Sequence, residues 1–196
     1  MKRSEKFKKQ MSFLLELDKI KEIYRQTYLA DSSRKENDAE HSWHACIMAV
    51  VLAEYFDKDI DLLKVIKMML MHDVVEIYAG DTYCYDSKGY EDKDEREIAS
   101  ANKVYGLLPD DQKEEYIKIW REFEDGETKE AKFCAILDRV QPTMLNNAAD
   151  GISWKEHGIK KEQVLKNHEL SYSEEKEIAD YMKNIIDGAY ERGILK

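Results

Sequence analysis

Four side chains of this chain combine types and spacing that suit a metal ion: His41, His72, Asp73 and Asp138. Each stands where the surrounding pattern calls for a core residue. His72 continues the stripe of Leu62, Val65, Ile66 and Met69, which turns it inward with Asp73 beside it. His41 falls in the first turn of an otherwise apolar helix. Asp138 shares a helical face with Ala131, Cys134 and Ala135, small residues that admit a neighbouring helix. A carboxylate on such a face is costly unless it is paired or bound to a metal. Two imidazoles and two carboxylates drawn from three helices form a nitrogen–oxygen set suited to one divalent transition metal ion. Such ligands admit manganese, iron, cobalt, nickel or zinc alike. Taken singly, each residue has a plainer explanation. A buried His is more often a hydrogen-bonded core residue, and an inward Asp usually caps a helix or pairs with an Arg, here the adjacent Arg139. The combination in this order is the stronger signal.

The elements that must position these groups read as helices. Phe13, Leu14, Leu17, Ile20 and Ile23 predict a first helix over about 5–24, followed by a polar stretch from Arg25 to Glu36. Asn37 stands three residues before Glu40, an Asx form of the capping box, and opens a second helix that runs to about Phe56. That helix is apolar nearly all round from Trp43 to Ala53 and is expected to be central and buried. A third helix is expected over about 60–76. The segment 77–90, with two glycines and four tyrosines, reads as a functional loop. Further helices begin near Glu91 and at Pro109, and one spans about 128–145, where Pro142 must kink or end it and leaves the Asp138 carbonyl without its usual donor. The last helix carries Ile178, Tyr181, Met182, Ile185, Ile186 and Ala189 and closes at Gly193. No segment sustains strand alternation, so the expected class is all-α, a single domain over residues 1–196.

Composition narrows the partners. The 196 residues include 43% hydrophobic and 37% charged side chains, with only 8 Gly and 2 Pro, as suits a helical core with a solvated surface. A formal net charge of −10 repels nucleic acid, so a polyanionic ligand needs a local positive centre. No run approaches the roughly 20 apolar residues of a membrane span, and Met1 to Lys9 lacks a signal peptide's apolar stretch. Cys46, Cys84 and Cys134 form no C-x-x-C pair and read as reduced thiols of a cytoplasmic protein.

The ordered pattern H…HD…D resembles the HD-domain phosphohydrolases, whose metal is bound by those four side chains. The likeness runs through Glu40-His41-Ser42-Trp43, His72-Asp73-Val74-Val75-Glu76, Gly80-Asp81, the segment from Ala131 to Asp138, and Trp154-Lys155-Glu156-His157-Gly158. The branch it resembles most contains the bacterial 5′-deoxynucleotidases and the HD-domain-containing protein 2 group. The resemblance implies an HD-domain helical bundle, a nucleotide substrate, phosphate release from (deoxy)nucleoside 5′-monophosphates, and a homodimer. It also implies catalytic roles for Glu76 and Asp81. Many HD phosphodiesterases carry a second His shortly after the HD pair; here that position is Glu76, which favours a single metal. The nucleotidases place an Arg-Trp pair after the first helix, where this chain reads Arg25-Gln26-Thr27-Tyr28 without the Trp.

A chemistry follows in which the metal acts as a Lewis acid on a phosphate oxygen and a water. Glu76, four residues after His72, would transfer a proton or orient that water, and Asp81 would share the task or bind the sugar. Arg25 and Arg34 are candidates for phosphate contact through the guanidinium fork, with a solvated surface role as the plainer alternative. His44 is taken as supporting, and His157 and His168 fall in segments expected to be exposed. Tyr78, Tyr83 and Tyr85 would stack on a base or simply pack the loop. The rival functions are an HD hydrolase of a nucleoside polyphosphate or cyclic nucleotide, and a non-catalytic HD binding module. The first usually needs extra basic residues or a second metal, and the second has no need of four inward polar ligands.

Overall fold

Helix capping and apolar spacing set most of the architecture of the computed structural model, which describes residues 1–56 and 59–196. Helix α1 spans Arg3–Glu16 and continues as a 3-10 turn over Leu17–Glu22. Two short antiparallel strands follow, β1 (Tyr24–Tyr28) and β2 (Lys35–Asn37), with an irregular register between Tyr24↔Asn37 and Tyr28↔Lys35. Asn37 then caps α2 (Asp38–Leu52), accepting from the Glu40 N–H at 3.0 Å, while Glu40 accepts from the Asn37 N–H at 3.2 Å. After α3 (Leu62–Met71) the chain tightens into a 3-10 turn, His72–Val75, before α4 (Glu76–Ala79). The remaining helices are α5 (Lys93–Val104), α6 (Asp110–Asp125), α7 (Lys129–Ala148), α8 (Ile152–His157), α9 (Lys161–Asn167), α10 (Glu169–Glu174) and α11 (Lys176–Glu191).

Helices α2, α3, α7 and α11 enclose the main core through Ala45, Ala49, Val65, Met69, Phe133 and Met182. A second cluster, including Phe13, Val75, Val104, Tyr105 and Trp120, seats α1, α5 and α6 against the His72–Val75 turn. A third joins α8, α9 and α11 around Trp154, Val164 and Ile186. No helix among the described residues is long and apolar enough to cross a membrane.

Two expectations need correction, and a third is narrowed. The first helix stops at Glu16, and part of the polar stretch after it forms strands, because a two-stranded hairpin too short for visible alternation is held by packing, here by α7 and α8 against β1. Helix α2 is central on one face only: Trp43 is 65% exposed, and Ile47, Val50 and Val51 are exposed with it along one stripe. Of the kink or end expected at Pro142, the end does not occur, since α7 runs through it to Ala148.

Candidate metal centre

Each of the four sequence-derived ligands arrives on its own piece of backbone. His41 sits three residues inside the capped start of α2, His72 and Asp73 sit on the tight turn after α3, and Asp138 sits mid-way along α7. Mutual packing of α2, α3 and α7 brings them together. Nε2 of His41 lies 3.0 Å from Oδ1 of Asp138 and 3.8 Å from Oδ2 of Asp73. Nε2 of His72 lies 3.1 Å from Oδ1 of Asp73 and 3.5 Å from Oδ1 of Asp138. Bonds of about 2.0–2.2 Å to a shared ion, at octahedral or tetrahedral angles, separate donors by roughly 3.0–3.4 Å. The observed edges cluster around that size.

The protons of the two rings are already committed elsewhere. Nδ1 of His72 donates to the Met69 carbonyl oxygen at 2.9 Å, and Nδ1 of His41 donates to Oε1 of Gln141 at 2.9 Å. The Gln141 amide is itself fixed, because its Nε2 donates to Oε1 of Glu36 at 2.6 Å. Each ring thus keeps its Nε2 turned inward, toward carboxylate oxygens, where it can bind an ion when the proton sits on Nδ1. Nε2 of His72 is buried with no hydrogen-bond partner. Acceptors facing one another at such distances repel unless positive charge lies between them, so these residues fit a divalent cation. Burial works against a charged His72, yet Asp73 and Asp138 outweigh it and push the imidazole well above its usual range. Burial likewise opposes the Asp138 carboxylate, but His41 and His72 beside it hold it well below the ordinary value.

Beside this group lies a second set of acids around one guanidinium. Glu76 lies one 3-10 repeat after Asp73, so the tight turn stacks it over Asp73 rather than over His72, as an unbroken α-helix would have done. Burial, followed by Asp73, Asp38 and Asp81, pushes Glu76 well above the usual carboxyl range, and Arg25 offsets this only in part. Burial and Asp73 also raise Asp38 to about 7. Gly80 ends α4 with a φ of 78°, a left-handed value that suits glycine, and delivers Asp81 into the same space. Arg25 reaches in from β1: its Nη1 donates to Oδ2 of Asp73 at 2.9 Å and to Oδ1 of Asp38 at 3.2 Å.

Arg25, His72, Asp73, Glu76, Asp81 and Asp138 line a cavity of about 400 Å³. Its walls include Tyr83, Tyr85 and Tyr90 from the loop after α4, facing Arg139, Asn146 and Asn167. Arg96 ties that loop together, its Nη1 donating to the Ala79 carbonyl at 2.6 Å and its Nη2 to the Gly89 carbonyl at 2.9 Å. Tyr78 instead packs outside, hydrogen-bonded to Glu16. Arg34 is not brought to the cavity: it is exposed and forks onto Glu40, with Nη1 2.8 Å from Oε2. His168, expected at the surface, is fully buried, with Nε2 2.9 Å from Oγ1 of Thr143. His44 contacts the Gln141 amide at 3.2 Å. Sequence reasoning missed Glu36, Asp38 and Gln141. Two of them carried a signal, for Asp38 and Gln141 are polar residues placed three before His41 and three after Asp138, on the same helical faces as those ligands.

The family model of the HD domain matches residues 17–183 of the chain. The chain belongs to the HD-domain family. It is similar over nearly its whole length to a predicted metal-dependent phosphohydrolase of Magnetospirillum magnetotacticum MS-1, with 46% identity and a TM-score of 0.93, covering 97% of this chain and 95% of that one. The bovine 5′-deoxynucleotidase HDDC2 is 29% identical over 133 residues, 67% of this chain and 63% of the bovine protein. The Xenopus laevis protein of the same name is 31% identical over 119 residues, 61% of this chain and 55% of that one. The chain thus matches under two thirds of the length of these curated relatives. An HD-domain phosphohydrolase of Listeria innocua shares the fold, with a TM-score of 0.67 at 18% identity.

Proposed function

We propose that this chain is a metal-dependent phosphomonoesterase that releases phosphate from nucleoside 5′-monophosphates, deoxynucleotides among them, with residues 1–196 acting as one HD-type domain. One divalent transition metal ion, of manganese, iron, cobalt, nickel or zinc, would be held by His41, His72, Asp73 and Asp138. The observation that carries this reading is the inward Nε2 of His41 and of His72, at 3.0 and 3.1 Å from a carboxylate oxygen, while the Nδ1 of each ring is held by an acceptor. When bound, the ion supplies Lewis acidity to a phosphate oxygen and lowers the pKa of a water.

The protein's own groups do the rest. Glu76 lines the cavity with Oε2 buried and free of hydrogen-bond partners, so it is placed to exchange a proton with the reacting water or the leaving oxygen. Asp81 flanks it and orients the water or a sugar hydroxyl. Arg25 offers its guanidinium to the phosphate-bearing end of the substrate. Asp38, Asp73, Glu76, Asp81 and Asp138 surround that one cation, so a phosphate dianion enters only when further positive charge is present. The tyrosine-bearing wall leaves room for a nucleoside. The bovine relative's name supports the nucleotide as substrate. A homodimer through the exposed stripe of Trp43, Ile47, Val50 and Val51 belongs to the same proposal.

The test is a phosphate-release screen on protein stripped of metal and reloaded with each candidate ion. Substrates would be ribo- and deoxynucleoside 5′-monophosphates, nucleoside polyphosphates and cyclic nucleotides. Release from 5′-monophosphates alone is expected. Turnover confined to another class overturns the substrate, and no turnover with any ion overturns the enzymatic reading.

A further inference from the structure

Asp38 is a fully buried carboxylate in the first turn of α2. A helix N-terminus favours an acid there, but an exposed one would serve equally well. Burying the charge is costly unless something nearby needs it. Asp38 does not line the cavity, whereas its partner Arg25 does. Oδ1 of Asp38 accepts from Nη1 of Arg25 at 3.2 Å, and the same Nη1 donates to Oδ2 of Asp73 at 2.9 Å. Both hydrogens of Nη1 are thereby used. Nη2 comes no closer than 4.0 Å to Oδ1 of Asp138, and Nε is buried without a partner. A guanidinium has five donors in a rigid plane, so fixing one nitrogen between two carboxylates sets the direction of the others. Of the two anchors, Asp73 belongs to the proposed metal centre and would share its charge with an ion. Asp38 lies outside that centre, shares its carboxyl between Arg25 and Glu76, and stands on the helix that carries His41.

We propose that Asp38 is a positioning residue: it holds Arg25 by Nη1 so that Nη2 faces the phosphate end of the substrate. This rests on the phosphatase reading for its ligand, inorganic phosphate being the product of that reaction. Without Asp38, Arg25 is free to turn toward Asp81, whose Oδ1 already lies 3.9 Å from Nη1, and the donor edge leaves the phosphate.

A double-mutant cycle tests this with Asp38→Ala, Arg25→Ala and the pair, all metal-loaded. The readouts are inorganic phosphate affinity by calorimetry, KM and kcat for a nucleoside monophosphate, and metal content. Asp38→Ala is expected to weaken phosphate binding by about 10–100-fold, the scale of a misplaced binding group. Arg25→Ala should do the same, and the double variant should be no worse than Arg25→Ala alone. Metal content should stay at the wild-type value, which a general structural collapse would lower. Asp38→Asn, which keeps an acceptor oxygen, should recover most of the affinity. If Asp38→Ala does not fold, the same cycle run with Asp38→Val, which fills the space without an acceptor, decides. Additive losses, or unchanged phosphate affinity in the Asp38→Ala or Asp38→Val variant, overturn the proposal. Phosphate binding needs no turnover, so wild-type protein that binds phosphate but cleaves no nucleotide defeats the substrate reading alone. Wild-type protein that does not bind phosphate defeats both.

Discussion

Replacing Gln141 with Leu probes the proposed metal centre without touching a proposed ligand. Gln141 is fully buried, and its amide accepts from Nδ1 of His41 at 2.9 Å while donating to Oε1 of Glu36 at 2.6 Å. Leucine has nearly the same volume, so packing is kept and both hydrogen bonds are lost. A buried polar group left without its partner costs about 1–3 kcal/mol, so the two together should cost roughly 2–6 kcal/mol. For a domain of this size that lowers the melting temperature by roughly 4–24 °C. The functional effect is separate. The proton on Nδ1 of His41 would no longer be held by a carbonyl acceptor, and nothing would fix the ring with Nε2 inward. Loss of such a supporting bond typically weakens metal affinity by about 10–100-fold, or about 1.4–2.8 kcal/mol. Competition against a chelator reads the affinity, and thermal melts with and without metal read the stability. A variant with wild-type metal affinity would refute the claim that Gln141 sets the tautomer of His41.

Other perturbations report on neighbouring parts. Glu76→Gln should keep its metal while kcat falls by about 10²–10⁴-fold, and an unchanged kcat removes Glu76 from proton transfer. Arg96→Ala should loosen the loop it ties between Ala79 and Gly89, seen as faster amide exchange there and a higher KM; unchanged exchange would show the clamp to be idle. His168, buried beside Thr143 and repelled by Arg139, is pushed down to about 4 by burial first and that charge second. A depressed histidine stabilises the fold above its unfolded value near 6.5 and loses that contribution as pH falls toward the folded one, about 2 kcal/mol by pH 5. Urea midpoints of the wild type should therefore fall more steeply between pH 8 and pH 5 than those of His168→Gln, and parallel profiles would contradict the assignment.

The sequence was most legible where apolar spacing is long and capped. The box at Asn37 and Glu40, the Pro109 start of α6 and the stripe of α11 could all be read directly, because local geometry settles them. The break at His72 could not be seen, since a 3-10 turn keeps the same apolar residues as an α-helix and changes only the angle between them. That angle matters, because it carries Glu76 over Asp73. The exposed stripe on α2 was hidden for a related reason: Trp43, Ile47, Val50 and Val51 share the hydrophobicity of the core face, and periodicity fails when both faces are apolar. Gln141 and Asp38 were passed over because a polar residue beside a candidate ligand gives no sign, from spacing alone, of which group it serves. Arg34 shows the reverse case, a basic residue near the site in sequence that Glu40 captures at the surface.

The account stands on four side chains sharing a single ion, and metal stoichiometry tests that most directly. Elemental analysis and calorimetric titration of wild type, His72→Ala and Asp138→Ala should be run on protein stripped and then offered the same ions. The expected result is one tightly bound divalent ion per wild-type chain and none retained by either variant. Variants that hold the ion as firmly as wild type, or a wild-type chain that takes up none, would contradict it.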